Sequence, residues 1–90
     1  MSFFIYPVVV DLPTDRTGWA VVVPDLPGCF AGGNSLAEAM AAARGAVIRW
    51  VVTARAEGLA VPPPSSIEAL QAMPDYRGWV VRTIQVELPD

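Results

Sequence analysis

Residues 3–10, FFIYPVVV, are apolar at almost every position, and alternation divides them into two sets. Phe3, Ile5 and Val9 share one side of an extended chain, and Phe4, Tyr6, Val8 and Val10 share the other. Aromatic and β-branched content predicts a strand. Apolar residues on both sides predict a central strand that is covered on both faces. Pro7 has no N–H to offer a ladder, so pairing on one side of this strand is expected to be imperfect.

The polar stretch DLPTDRTG at 11–18 predicts a hairpin loop. WAVVVP at 19–24 then reads as a second strand antiparallel to the first, and CFAGG at 29–33 as a short third strand. Between them lies PDLPGC, 24–29. Leu26 precedes a proline and is biased to extended geometry. Pro27 and Gly28 suit the central positions of a type II turn, because proline presets the first and glycine tolerates positive φ at the second. The segment is thus expected to be a rigid turn that points Cys29 into the core.

A helical period follows. Ser35 and Glu38 form an S-x-x-E capping box, and Gly58 stands where a stop glycine belongs. Leu36, Ala39, Met40, Ala43, Val47, Trp50, Val51 and Ala54 fall on one face and are the predicted core stripe. A weaker stripe of Ala37, Ala41, Ile48 and Val52 lies roughly 130° away, at about 100° per residue. Exposed apolar patches are uncommon on monomers. The second stripe is therefore expected under a neighbouring loop or at an oligomer interface, and is the candidate oligomer face.

VPPPSS at 61–66 reads as an extended polyproline-like connector. Ser65 with Glu68 repeats the capping-box pattern and predicts a short helix to about Met73, with a turn over 74–78. WVVRTIQVEL at 79–88 is the last strand. The order of elements implies an α+β fold with a three-stranded antiparallel meander and one long helix packed on the sheet. The helix is expected to act as a right-handed crossover that lays the fourth strand parallel to the first. The far face of the central strand then needs cover from the short second helix or from another chain.

Composition sharpens this picture at two points. Ninety residues is one domain, and 53 % hydrophobic content exceeds the usual share of roughly 45–50 %. A small domain buries only part of its surface, so the excess points to a homo-oligomer or a permanent partner. The net charge is −3, and the positive charge comes from six scattered arginines without a lysine. That distribution lacks the cationic stripe that nucleic-acid phosphates require, and suits a basic protein partner.

Chemistry finds little purchase. A single cysteine and the absence of histidine leave no intrachain disulfide, no soft-ligand metal site and no base to activate a Cys29 nucleophile. Asp11, Asp15, Asp25 and Asp75 sit at loop ends, where aspartate serves turns, and no two have a spacing that converges on a metal. Gly32-Gly33 before the helix is a weak anion-binding pattern. No catalytic residue, cofactor or metal is expected. The N-terminal apolar run lacks a positive region and is too short and too broken by Pro7 to span a bilayer, so a cytoplasmic protein without a membrane association is expected.

Taken in order, YPVVV at 6–10, GWAVVVPDLPGC at 18–29, AGGNSLAEAMAAARGAV at 31–47 and GLAVPPPSS at 58–66 resemble the HicB family of bacterial antitoxins. The resemblance covers nearly the whole chain, read as a single HicB-like domain over 1–90. It implies a partial ribonuclease-H-like fold without a working nuclease site, and a partner: a small basic HicA-like toxin that cleaves mRNA and is neutralised when its active surface is covered. Asp25 and Leu26, held at the turn, are the candidate partner contacts. Many members carry a C-terminal DNA-binding segment. Here the sequence ends at VELPD without a basic segment, so no C-terminal DNA-binding domain and no direct DNA binding are expected. Two other readings stay open: a degenerate metal-dependent nuclease using Asp11 and Asp25, and an orphan interaction or ligand-binding module without a toxin.

Overall fold

The computed structural model describes residues 2–15, 17–76 and 79–88. Strand β1 (Ser2–Asp11) is followed by β2 (Trp19–Val22), β3 (Phe30–Gly33), the long helix α1 (Leu36–Ala56), the short helix α2 (Ile67–Gln71), a 3₁₀ turn (Pro74–Tyr76) and β4 (Val80–Leu88). The strands form one sheet in the order β3-β2-β1-β4. The meander is antiparallel as expected, with Val9 opposite Val22 and Val21 opposite Ala31.

The fourth strand corrects the expectation. β4 lies beside β1, but antiparallel to it, from Val80 opposite Val10 to Leu88 opposite Ser2. The reason is the number of passes the chain makes along the sheet. Gly33 pairs with Trp19, at the end of the sheet where Asp11 pairs with Ala20. α1 runs from there to the other end, where Trp50 reaches the turn at Pro27. A parallel fourth strand would have to start at that far end. Instead residues 57–76, including α2 and the 3₁₀ turn, make a second pass back, and β4 begins opposite Val10.

Proline sets where the first ladder stops. The Val23 N–H donates to the Cys29 carbonyl at 2.9 Å, on the β3 side. Alternate residues of β2 therefore face β1, and the next paired position would set Pro24 against Pro7. Neither has an N–H, so the β1–β2 ladder ends, and β2 is shorter than its run of valines. The β4 ladder passes Pro7 undisturbed because Pro7 turns its missing donor toward β2.

The main core lies between sheet and α1. Tyr6, Val8 and Val10 of β1 meet Val21, Val23, Leu26, Ile84, Val86 and Leu88, and the helix adds Ala39, Ala43, Val47 and Val51. The predicted helix stripe is thus the buried one. The Ser35 hydroxyl accepts from the Glu38 N–H at 3.1 Å, closing the expected cap, and Gly58 takes φ 72° after the last turn. Small residues let α1 start close to the sheet: a Cβ on Gly33 would lie 2.7 Å from the Ala39 nitrogen. On the opposite face Pro7 and Val9 are fully buried, as is Leu70 of α2, which packs against β4. Nearer the N-terminus that face is open, with Phe3 63 % and Ile5 56 % exposed.

Candidate interaction site at the β2–β3 turn

The segment 23–29 folds as two successive turns. Leu26 N–H donates to the Val23 carbonyl at 3.1 Å and Cys29 N–H to the Leu26 carbonyl at 2.9 Å. Gly28 occupies the second central position of the latter turn at φ 79°, the conformation a type II turn requires there. The rigid turn read from the sequence is present.

Two distant segments grip it. Both Asp25 carboxylate oxygens accept from Ser65, one from its backbone N–H at 2.8 Å and the other from its hydroxyl at 2.6 Å. The Trp50 indole N–H of α1 donates to the Pro27 carbonyl at 2.9 Å. Alongside, the Tyr6 hydroxyl donates to the Pro62 carbonyl at 2.8 Å and holds the polyproline connector. Burial of the Tyr6 phenol raises its pKa, the nearby Asp25 carboxylate raises it further, and Arg55 opposes both. The phenol is a neutral donor at neutral pH.

The candidate residues fare differently. Leu26 is fully buried in the main core, so its side chain is a packing element and presents no surface. Asp25 is half-buried and engaged by Ser65. Cys29 points inward as expected; burial pushes its thiol pKa up while Arg49 pulls it down. Ala37, Ala41, Ile48 and Val52 all remain exposed on α1, Val52 at 51 %, so none of the described loops covers that stripe. The Ser65–Glu68 capping box is corrected by one residue: Ser66 caps α2 by accepting from the Ala69 N–H at 3.1 Å. Ser65 binds Asp25 instead.

A groove of about 470 Å³ opens between the turn and the C-terminal half of α1. Its apolar lining includes Cys29, Trp50 and Leu59, and its charged lining is Arg49 and Glu57. Periodicity assigned Trp50 to the core, and nothing in the spacing marked Arg49, Glu57 and Leu59 as neighbours of the turn. No acidic, histidine or cysteine cluster able to hold a metal occurs among the described residues. Asp11 stands opposite Ala20 near the start of β2, whereas Asp25 lies beyond its end, so the two carboxylates do not converge. No helix among the described residues is long and apolar enough to cross a membrane.

This architecture is a small α+β domain: an antiparallel four-stranded sheet, one long helix, and a turn locked from two sides. Residues 6–90 match the family described as HicB_like antitoxin of bacterial toxin-antitoxin system, and the chain belongs to that family. It is 32 % identical over 84 residues to an uncharacterized 14.9 kDa protein of Haemophilus phage HP1, covering 93 % of this chain and 62 % of that protein. The chain thus spans about three-fifths of that relative's length. A further match, 44 % over 43 residues, is to Antitoxin HicB 2 of Photorhabdus laumondii, covering 48 % of this chain and 30 % of that one. Among solved structures, the N-terminal domain of the Burkholderia pseudomallei antitoxin HicB is 30 % identical with a TM-score of 0.77, covering 94 % of this chain and 100 % of that one. A chain of the HicA3 and HicB3 toxin-antitoxin complex is 26 % identical with a TM-score of 0.75, covering 97 % and 100 %.

Proposed function

We propose that this chain is the antitoxin half of a toxin–antitoxin pair. It binds a small basic HicA-like mRNA-cleaving toxin and neutralises it by covering the toxin's active surface. The observation that carries the reading is the likeness, over 97 % of the chain, to a chain found in a toxin-antitoxin complex. The excess of carboxylates over arginines favours a basic partner by charge complementarity. The contact surface we assign is the braced turn, shaped by the Asp25–Ser65 clasp, with the adjoining groove, where Arg49 and Glu57 supply polar contacts beside an apolar lining. Leu26 acts beneath this surface by holding the turn in shape. The protein is read as cytoplasmic and homo-oligomeric, with the open α1 stripe as one candidate oligomer face. Its ribonuclease-H-like character is a matter of element order, not of chemistry.

The nuclease reading is disfavoured by the separation of Asp11 and Asp25. The deciding experiment is expression of a small basic HicA-like protein from the same genome, alone and together with this chain. Growth arrest by that protein, relieved on co-expression, with both chains co-purifying, is the expected result. Arrest that persists, or chains that do not associate, overturns the antitoxin reading. Metal-dependent RNA cleavage by this chain that is lost in Asp11→Asn would establish the nuclease in its place.

A further inference from the structure

The direction of every backbone N–H in the sheet follows from one hydrogen bond. Because the Val23 N–H points to Cys29 on the β3 side, odd-numbered residues of β2 face β3 and even-numbered residues face β1. The pairing of Val9 with Val22 then turns odd residues of β1 toward β2 and even residues toward β4. The pairing of Tyr6 with Ile84 carries the alternation across. Even residues of β4 are bonded to β1, while Val81, Thr83, Gln85 and Glu87 aim their N–H and C=O groups out of the sheet.

No described strand pairs with that edge, and of its outward groups the Val81 carbonyl accepts from the neighbouring Arg82 guanidinium at 3.1 Å, a surface contact that a pairing strand would displace. β4 is the last strand in the sheet order, and the side chains of Thr83, Gln85 and Glu87 are exposed. Among the described residues, no backbone hydrogen bond from another segment reaches these groups. The strand pairs in unbroken register over nine positions. It holds no proline, glycine or bulge, and the charges that blunt edges in soluble proteins are confined to Arg82 and Glu87, away from its middle.

We propose that a second copy of this chain pairs with the edge, β4 against β4, antiparallel about a twofold axis perpendicular to the sheet. One continuous sheet of twice the width results, with both α1 helices on the same side. This deepens, and rests on, the homo-oligomeric part of the reading above. The edge is complementary to itself. Outward groups belong to odd residues, so odd must meet odd. A register centred on Ile84 sets Thr83 against Gln85 of the second copy, Val81 against Glu87, Arg82 against Val86, and Ile84 against its own counterpart. Registers centred on Arg82 or Glu87 would face like charges and are disfavoured. The two charged residues thereby confine pairing to the middle of the strand. The inward row Ile84, Val86 and Leu88 runs on into the same row of the second copy. The α1 stripe, by contrast, offers apolar surface without hydrogen bonds or a defined register.

Proline at an outward position separates this pairing from folding. Gln85→Pro removes an N–H that makes no bond to β1, and proline is tolerated on an edge strand. Light scattering during size-exclusion chromatography should give a dimer for the native chain and a monomer for Gln85→Pro, with unchanged far-ultraviolet circular dichroism. The double variant Thr83→Lys, Gln85→Lys places lysines opposite one another and should weaken dimerisation at least about tenfold without touching the backbone. Ile48→Glu should leave the dimer intact. A native monomer overturns the proposal and the oligomeric reading together. A dimer that survives both edge changes, or yields to Ile48→Glu alone, overturns the edge assignment only. The same variants assayed for toxin neutralisation keep the antitoxin reading separate. Loss of neutralisation by Gln85→Pro with the dimer intact gives the edge to the toxin and overturns the proposal.

Discussion

Two loops of this protein join consecutive antiparallel strands and are built from the same residue types, yet they are held very differently. Loop 12–18 is exposed at nearly every described position, and its side-chain bonding includes the local pair Thr14 Oγ1 and Thr17 Oγ1 at 2.8 Å. Turn 23–29 drives Leu26 into the core and is bonded to α1 at Trp50 and to the connector at Ser65. Proline, aspartate and glycine alone do not separate the two. What separates them is the side chain each carries inward and the distant groups that arrive to meet it. A loop braced at three points holds its shape when a partner binds, and little ordering entropy opposes association.

Leu26 contributes most to the difference between the two loops. Leu26→Ala leaves a cavity under the turn and should cost about 2–5 kcal/mol, measured by urea denaturation. A loss below about 1 kcal/mol would mean that the turn does not depend on its buried leucine. Next in size is Asp25→Ala, which strips both bonds from Ser65 and should cost about 1–2 kcal/mol at this half-buried site. Asp25→Asn keeps an acceptor for one of them and should fall between.

Tyr6→Phe removes the hydroxyl that holds the Pro62 carbonyl, a loss of about 1 kcal/mol. It also sharpens the electrostatics. Well below pH 10 the phenol is neutral both folded and unfolded. Above that, the unfolded chain ionises first because the folded-state pKa is raised, so stability falls as pH rises. In denaturation curves taken at alkaline pH, that fall should be shallower in Tyr6→Phe than in the native chain. Trp50→Phe keeps an aromatic side chain of smaller size and loses the bond to Pro27, costing about 0.5–1.5 kcal/mol. The smallest effect belongs to the other loop: Thr14→Ala should change stability by no more than about 0.5 kcal/mol. If it matched Asp25→Ala, the contrast between the loops would collapse.

Much of the site was legible before the structure. Pro27 and Gly28 announced a type II turn, Ser35 and Glu38 announced the start of α1, and Pro7 announced an imperfect ladder. These are local signals, in which a residue's own torsional range or one nearby hydrogen bond decides the outcome. Leu26 and Ser65 were misread because each depends on a remote segment. A leucine at a turn tip reads as exposed until the helix that covers it is placed. A serine at capping spacing reads as a cap until a carboxylate forty positions away in sequence claims it.

The elements, the helix face that enters the core, the turn chemistry and the ordered pattern that marks the family can all be read from the residues alone. Only the tertiary structure decided the direction of β4, the burial of Leu26, the Asp25–Ser65 clasp and the open edge at Thr83, Gln85 and Glu87. The physical division is one of range. Backbone torsion, capping and hydrophobic period act within a few residues and are written in the local string. Strand direction depends on how many times the intervening chain crosses the sheet, and a clasp depends on where that crossing passes. Both follow from the packing of whole segments, which no short stretch of residues encodes.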